Sequence, residues 1–286
     1  KGDAMEKRKF RIVVVMAFGV TLLVSAVLDG SVSSTELAML QGAMRELRRT
    51  DNLEFSYENI LSEKGASKSE KAVIWADTLS GSWVGEYYIT DEDGTRRYLK
   101  KFCDGESVYQ YVEWSGEWEL LEEEDDNIPY FSQITDLPYD DDDILDIRLE
   151  QQGNLQEISY EFTTEYMEKQ NRRRIQMLED YYKNYKRLQT SDESQEQIEL
   201  AAEQYRQTSE EKETVVCHID PAGVMQDFCS VLTLSVPEII YDDAGGQTLG
   251  AEAESIYETK IKIHRYNQDV VLNKIEQCRR EVLYYQ

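Results

Sequence analysis

The stretch GSWVGEYYITDEDGTRRYLKKFCDGESVYQYVEWSGEWEL, residues 81–120, carries the pattern that decides the fold. Apolar and polar residues alternate in four short runs, and turn-forming residues separate these runs at Asp91–Gly94, Asp104-Gly105 and Ser115-Gly116. A period of two places neighbouring side chains on opposite faces of a strand, and Asp-Gly is typical of hairpin turns. The stretch therefore predicts a four-strand antiparallel meander.

The alternation also predicts which side chains share a face of this meander. Followed through the three turns in the simplest register, it gathers aromatic residues on one side and mostly polar residues on the other. We expect the aromatic side to be turned inward beneath helices. Its members, the candidate ligand-binding residues, are Trp83, Tyr87, Tyr98, Phe102, Tyr109, Tyr111 and Trp118. Lys100 and Glu113 fall on the same side, so they must lie near its rim or be paired.

A helix and a strand are predicted before the meander. Ser33 and Glu36 form a capping box, which is a typical helix start. The apolar stripe that follows has helical spacing and consists of Leu37, Leu40, Met44 and Leu47. Residues 53–60 then alternate as a strand.

After the meander, the acidic run Asp140–Asp143 precedes ILDIRLE, residues 144–150. Acidic residues are favoured at a helix start, and the run lacks the alternating ligands and glycine of a calcium loop. We therefore expect it to cap a helix over residues 144–150. A further strand is predicted by the alternating residues Ile158, Tyr160 and Phe162.

The composition shifts at residues 165–212 to Glu, Gln, Lys, Arg and Tyr. Two apolar stripes of helical spacing, divided by a second capping box at Thr190–Glu193, predict an αα-hairpin inserted between strands. Such a hairpin either packs across the sheet or projects as a contact arm. Strands resume at residues 213–220 and 228–236 and again near Tyr257–Ile263, and a closing helix is predicted by Val271, Ile275, Cys278 and Val282.

These elements define an α+β fold. We expect a curved antiparallel sheet or half-barrel packed by helices, with an inserted αα-hairpin and an N-terminal apolar helix. Four basic residues between Lys7 and Arg11 precede the uncharged apolar run Ile12–Leu28, an arrangement that keeps the basic end in the cytoplasm. We expect residues 1–32 to be a signal peptide or a membrane anchor, and residues 33–286 to form a single extracytoplasmic domain.

The charge of the chain limits its partners. The 57 acidic and 31 basic residues give a net charge of −26, which repels nucleic acid. The cysteines Cys103, Cys217, Cys229 and Cys278 are even in number, so an exported chain permits disulfides, but buried free thiols fit their spacing equally well.

No motif for catalysis, metal binding or a cofactor stands out. The two histidines, His218 and His264, lie in predicted strands, and Cys217 points away from His218 because neighbours in a strand face opposite sides. HExxH, CxxC and GxSxG are absent from the sequence. We therefore expect neither an enzyme nor a cofactor.

The segments STELAMLQGAMRELRRTDNLEFSYENI (34–60) and 81–120 together resemble the lipoprotein-carrier (LolA-like) half-barrel family. The resemblance implies a curved antiparallel sheet with helices on its concave side and an apolar interior that holds acyl chains or lipid-like ligands. It covers roughly residues 33–163 and the later strands, and the insert at 165–212 departs from the simple plan.

Two functions follow from these expectations. The first is an exported binding or chaperone-like module that holds a lipid or other hydrophobic ligand on the aromatic sheet face. The second is a membrane-anchored sensor or envelope-interaction ectodomain that has no ligand cavity, retains residues 12–28 in the membrane and contacts an envelope protein through the hairpin. A filled aromatic core, with no ligand at all, fits the same pattern.

Overall fold

The computed structural model describes residues 35–63, 66–91, 93–121, 126–135, 141–187, 192–241 and 247–285. The apolar run Ile12–Leu28 and the Ser33 cap lie outside these residues. None of the helices within the described ranges is both long enough and apolar enough to cross a membrane.

Five α-helices and eleven strands are described. In chain order they are α1 (Thr35–Arg48), β1 (Asn52–Glu63), β2 (Ala66–Asp77), β3 (Trp83–Thr90), β4 (Arg96–Cys103), β5 (Val108–Val112), β6 (Glu117–Leu121), α2 (Ser132–Thr135), β7 (Ile144–Gln152), β8 (Leu155–Phe162), α3 (Thr164–Arg187), α4 (Asp192–Arg206), β9 (Glu210–Ile219), β10 (Met225–Tyr241), β11 (Gln247–Tyr266) and α5 (Asp269–Tyr285).

All eleven strands form one curved sheet that stays open. Their order is β6-β5-β4-β3-β2-β1-β11-β10-β9-β8-β7, and every neighbouring pair is antiparallel. The predicted α+β fold with a curved antiparallel sheet packed by helices is therefore confirmed.

One face of the sheet, which we call the α1 face, carries the main core. The predicted stripe of α1 is buried there: Leu37, Leu40, Met44 and Leu47 pack with Phe55, Ile74 and Trp83. The short α2 and the residues just before it belong to the same core through Ile134. Strand residues alternate between the two faces, so the odd-numbered residues of β1 from Leu53 to Tyr57 all lie on this side.

The opposite face, which we call the α5 face, is covered in part by the closing helix. The stripe predicted for this helix, Val271, Ile275, Cys278 and Val282, is buried against Val84 and Phe102. A Lys274 Nζ–Glu86 Oε1 ion pair of 2.9 Å and an Arg279–Ser82 hydrogen bond of 3.1 Å attach α5 to β3 and the residue before it.

The inserted αα-hairpin is confirmed as α3 and α4, and its base packs across the sheet. Its small apolar cluster joins the hairpin to β10 and comprises Leu178, Ala201, Ala202, Tyr205, Leu234 and Val236. The described base thus packs on the sheet, which is the first of the two arrangements predicted for the hairpin.

The helix predicted over residues 144–150 is wrong, because β7 occupies this segment. Asp141–Asp143 forms one 3₁₀ turn, and Ile144 and Ile147 then lie opposite Phe162 and Tyr160 of β8 and pack on the core. Pairing with the edge of β8 satisfies backbone groups of β7 and half-buries these two isoleucines, which outweighs the helix-capping tendency of the acids.

Candidate functional site

The predicted single aromatic face is wrong, because the register changes between β3 and β4. Thr90 pairs with Arg96, so the loop is Asp91–Thr95, one residue longer than the expected Asp91–Gly94. Its closing hydrogen bond runs from the N–H of Asp91 to the carbonyl of Thr95. A shift of one residue moves a whole strand to the other face.

The later turns keep the predicted faces. Cys103 pairs with Val108 across the β4–β5 loop, and Val112 pairs with Glu117 across the β5–β6 loop. Each loop is longer than the expected two-residue turn by an even number of residues, so the side chains that follow stay on the predicted face. As a result, Trp83 and Tyr87 lie on the α1 face. The other five candidate residues, Tyr98, Phe102, Tyr109, Tyr111 and Trp118, lie on the α5 face.

Four of those five form an aromatic cluster beside the last turns of α5. The indole of Trp118 makes edge contacts with Tyr111 and Phe102 at centroid distances of 5.5 Å and 6.5 Å. Phe102 and Tyr109 stack at 6.2 Å. Phe102 is buried and the other three rings are half-buried, so the cluster is a wall that is part core and part surface.

Lys100 lies at this cluster and is paired, as predicted. Its Nζ is 2.9 Å from Glu281 Oε2 of α5 and 5.2 Å from the centroid of Trp118. Burial acts to lower the pKa of Lys100, but the bond and charge of Glu281 outweigh it and raise the pKa. The ammonium is therefore held charged over the indole face, a favourable cation–π geometry.

Trp83, in contrast, is a core residue. Its side chain is only 1% exposed, and its Nε1–H donates to the carbonyl of Asp126 at 3.0 Å. This bond ties the segment before α2 to the α1 face. Tyr87 is also buried in the main core. Neither ring presents a free surface.

A second part of the α1 face is accessible, and the sequence did not single it out. Moving along the strands away from α1, the cross-strand row Phe228, Ile261, Tyr57 and Ala72 is buried. The two rows that follow are mostly half-buried, although they lie in the middle of the sheet. They are Ser230, Thr259, Asn59 and Glu70, and then Leu232, Tyr257, Leu61 and Lys68.

We call this region the interior cleft, defined by these two rows. The segment before α2 bounds one side, where the Tyr130 ring stacks on Tyr57 at 3.6 Å and its hydroxyl donates to Glu70. The αα-hairpin bounds the other side, where the phenols of Tyr205 and Tyr257 are hydrogen-bonded to each other. The cleft is therefore walled by aromatic and aliphatic groups with polar groups placed between them.

Burial by the surrounding protein raises the pKa of two ionisable groups in or beside the cleft. Burial, followed by the charge of Glu63, raises the pKa of Tyr257. Burial also raises the pKa of Glu213, which lies next to Leu232 on β9 and accepts a hydrogen bond of 2.5 Å from Ser230. Both side chains nevertheless keep accessible surface. Groups that are desolvated and still accessible are expected at the wall of a recess.

The described residues contain no recognisable catalytic or metal-binding group of side chains. No group of three or more His, Cys, Asp or Glu side chains there could hold a metal ion. The four cysteines, all of them in described segments, form no disulfide. His218 lies in β9 as predicted, with Nδ1 2.6 Å from Asp227 and Nε2 3.1 Å from Glu157. Both ring nitrogens thus face carboxylates on neighbouring strands.

The cleft residues were missed because alternation predicts a face but not what covers it. Leu61 and Tyr257 fit the same period-two pattern as the buried Phe55 and Ile261. Only the positions of α2 and the hairpin decide which rows are covered. A usable signal was present in Asn59 and Thr259, two polar residues that each interrupt a run of apolar inward-facing residues, along β1 and along β11 respectively.

Comparison with known proteins gives distant structural likenesses. No protein-family model matches the chain, and no curated protein matches it. Similar solved structures include lipoprotein LppX of Mycobacterium tuberculosis (6% identity, TM-score 0.37, 82% of this chain and 95% of that chain) and LprF of Mycobacterium bovis (8%, 0.36, 83% and 95%). The Pseudomonas aeruginosa MucA/MucB complex is another (10%, 0.23, 81% and 94%).

At these TM-scores the likenesses carry no argument about ligand or partner. The resemblance to LolA-like half-barrels holds for the architecture, which is an open, curved antiparallel sheet packed by helices.

Proposed function

We propose that this chain is an extracytoplasmic binding module that holds a lipid-like, amphipathic ligand in the interior cleft. The observation that carries the proposal is the change from buried to half-buried rows in the middle of the α1 face. Leu61, Leu232 and Tyr257 supply apolar wall for a hydrocarbon chain, and Asn59 and Lys68 supply polar groups for its head. Ligand pockets typically combine such a wall with few polar groups.

The extracytoplasmic placement is part of the proposal. It is supported by the basic residues that precede Ile12–Leu28 in the sequence. Export also suits a carrier of hydrophobic molecules. Outside the cytoplasm, such molecules partition into the membrane unless a protein binds them.

The first test asks whether the purified protein carries a ligand. Gently purified protein would be extracted with organic solvent and analysed by mass spectrometry, and ligand-free protein would be titrated with cis-parinaric acid, a fluorescent acyl probe. We expect a co-purifying lipid or micromolar probe binding. Absence of both would overturn the proposal.

The second test asks where the ligand lies. Leu61→Trp fills the cleft and should abolish probe binding, while the fold is preserved because Leu61 is half-buried at its wall. Leu149→Trp on the exposed edge strand β7 is the matched control and should bind the probe normally. Equal binding by the two variants would place the ligand elsewhere.

A second function is favoured by the aromatic cluster of the α5 face. Trp114 is 87% exposed, and Leu120 and Tyr284 are exposed as well. The indole N–H of Trp118 is buried without a hydrogen-bond partner among the described residues. We propose that, if the interior cleft binds no ligand, this cluster docks an envelope protein in an anchored ectodomain. In that case, a crosslinking residue introduced at position 114 should form an adduct with another protein in cells. A protein that only carries lipid would give no such adduct.

A further inference from the structure

The outer edge of β7 is a free strand edge in the part of the chain that the structure describes. β7 is the last strand of the sheet, and no described strand pairs with its outer side. Every residue from Arg148 to Gln152 is exposed, including Leu149 with 37% of its surface. A strand edge of this kind presents unpaired N–H and C=O groups, which can pair with a further strand.

The regular part of this edge has Leu149 at its centre. The pairing of β7 with β8 shifts at Leu145, and it is regular from Asp146 to Gln152. Leu149 lies opposite the buried Ile158 of β8, so its side chain is on the α1 face of the sheet. An incoming strand would therefore cover the exposed Leu149 and extend the apolar surface around it.

The sequence of this stretch is complementary to itself. Two copies of one strand pair antiparallel around a two-fold axis perpendicular to the sheet, so both α1 faces lie on the same side. In the register centred on Leu149, which uses the whole regular stretch, Leu149 lies opposite Leu149 of the second copy. Arg148 then lies opposite Glu150 of the second copy, and the two-fold axis repeats this pair.

Charge favours this register over its neighbours, because opposite charges stabilise an antiparallel pair and like charges destabilise it. A centre at Arg148 places two guanidinium groups opposite each other, and a centre at Glu150 does the same with two carboxylates. A centre at Ile147 pairs Asp146 with Arg148, but it brings the irregular Leu145 into the ladder. The register centred on Leu149 alone combines favourable charges with a regular strand.

The guanidinium of Arg148 can accept a second carboxylate. It forms an ion pair with Asp146 on its own strand, and its side chain is still 68% exposed in that pair. Glu150 of a second copy would approach it from the open side of the strand. The ion pair already present holds the guanidinium near the edge where this contact forms.

The other edge of the sheet does not have this complementarity. β6 runs from Glu117 to Leu121, and pairing it with itself over its full length places Glu119 opposite Glu119. Like charges then meet at the centre of the contact. The two edges therefore differ, and β7 is the edge that fits a second copy of this chain.

We propose that two copies of this chain form a symmetric dimer by pairing their β7 strands, so that one sheet continues across both copies. The paired stretch is short and its ion pairs are exposed, so the association should be weak and require micromolar concentrations or more. The dimer needs no ligand, and it places the interior clefts of both copies on the same side of the joined sheet.

Cysteine crosslinking of the full chain tests the register. Side chains at position 149 of the two copies lie directly across the ladder, within reach of a disulfide. Leu149→Cys should therefore give a disulfide-linked dimer under mild oxidation, in a yield that rises with protein concentration. The unaltered chain, which has four cysteines of its own, gives the background.

Gln151→Cys is the matched control. Position 151 is exposed and lies on the same strand face, two residues farther along. In the proposed register it lies opposite Ile147 of the second copy, so two cysteines at 151 are far apart and should crosslink several-fold less. Equal yields from the two variants, or a Leu149→Cys yield no higher than background at high micromolar concentration, would overturn the proposal.

Charge reversal in the Leu149→Cys protein tests the ion pairs. Arg148→Glu alone and Glu150→Arg alone each place like charges opposite, so each should lower the crosslinking yield several-fold. The double variant restores opposite charges and should restore the yield. Glu119→Arg on the β6 edge is the control and should leave the yield unchanged. A double variant as weak as the single ones would overturn the proposed pairing.

Discussion

Substituting Gly105 by alanine tests the observed geometry of the β4–β5 loop. Gly105 has φ of +105°, the positive value predicted from the Asp104-Gly105 pair. A β-carbon at this position would lie 2.5 Å from the carbonyl oxygen of Ser80. That separation is far inside van der Waals contact, so the backbone around residue 80 must move to admit it.

The neighbouring loop cannot move freely. The Ser80 hydroxyl donates to Asp77 Oδ2 at 2.7 Å, and the Ser82 hydroxyl donates to the carbonyl of Asp104 at 2.9 Å. Arg279 of α5 also donates to the Ser82 hydroxyl. Displacing Ser80 therefore disturbs the attachment of both the loop and α5.

Gly94 provides the control for backbone strain alone. Its φ is +78°, but a β-carbon there would meet no atom within 4 Å. Gly94→Ala should lower the free energy of unfolding by about 1 kcal/mol, the cost of a left-handed residue with a side chain. Gly105→Ala adds an overpacking cost of about 1–3 kcal/mol and should lose about 2–4 kcal/mol in all.

Urea denaturation at neutral pH, monitored by tryptophan fluorescence, measures both losses. The unfolding free energy of the two variants must depend on urea concentration with the same slope, since a changed slope signals a changed denatured state. Equal losses in the two variants would refute the close approach of Gly105 to Ser80.

Three other changes have expected outcomes. Trp83→Ala should destabilise by roughly 3–5 kcal/mol in the same assay, because a fully buried ring leaves a cavity and the Asp126 carbonyl loses its indole donor; a loss below about 1 kcal/mol would contradict its place in the core. Burial acts against the charged form of His218, but Asp227 and Glu157 outweigh it and raise its pKa, so the stability that His218 contributes should be complete below its ordinary pKa and lost as pH rises through the raised value. His218→Gln should flatten thermal stability between about pH 6 and 8, and an unchanged pH profile would show that the carboxylates do not engage the ring. A reporter active only in the cytoplasm, fused after Gln286, should be inactive, and strong activity would contradict export.

Strand positions and side-chain alternation could be predicted from the sequence because they depend on local chemistry. The stripe of α1, the strands around Phe55 and Tyr160, the αα-hairpin and the stripe of α5 all follow from residue spacing. The β3–β4 register could not be predicted, because it depends on whether Thr95 belongs to the loop or to the strand. That one residue separates Trp83 from Trp118 across the sheet.

The interior cleft could not be predicted for a different reason. Its residues look like core, and they become accessible only because α2 and the hairpin cover other rows. Similarly, ILDIRLE has an acidic N-terminal flank typical of a helix, but the free edge of β8 determines its conformation. Both the accessibility of the cleft and the strand conformation of ILDIRLE depend on long-range packing, which cannot be predicted from the local spacing of residues.

Photocrosslinking of a bound acyl chain is the most direct test of the ligand site. A long-chain fatty acid that carries a diazirine near its methyl end would be bound, irradiated and located by peptide mass spectrometry. We expect adducts on the peptides that contain Asn59–Leu61 and Tyr257. Adducts confined to the peptides of Tyr111 and Trp118, or saturable binding that leaves no adduct in the cleft, would contradict the interior cleft as the binding site.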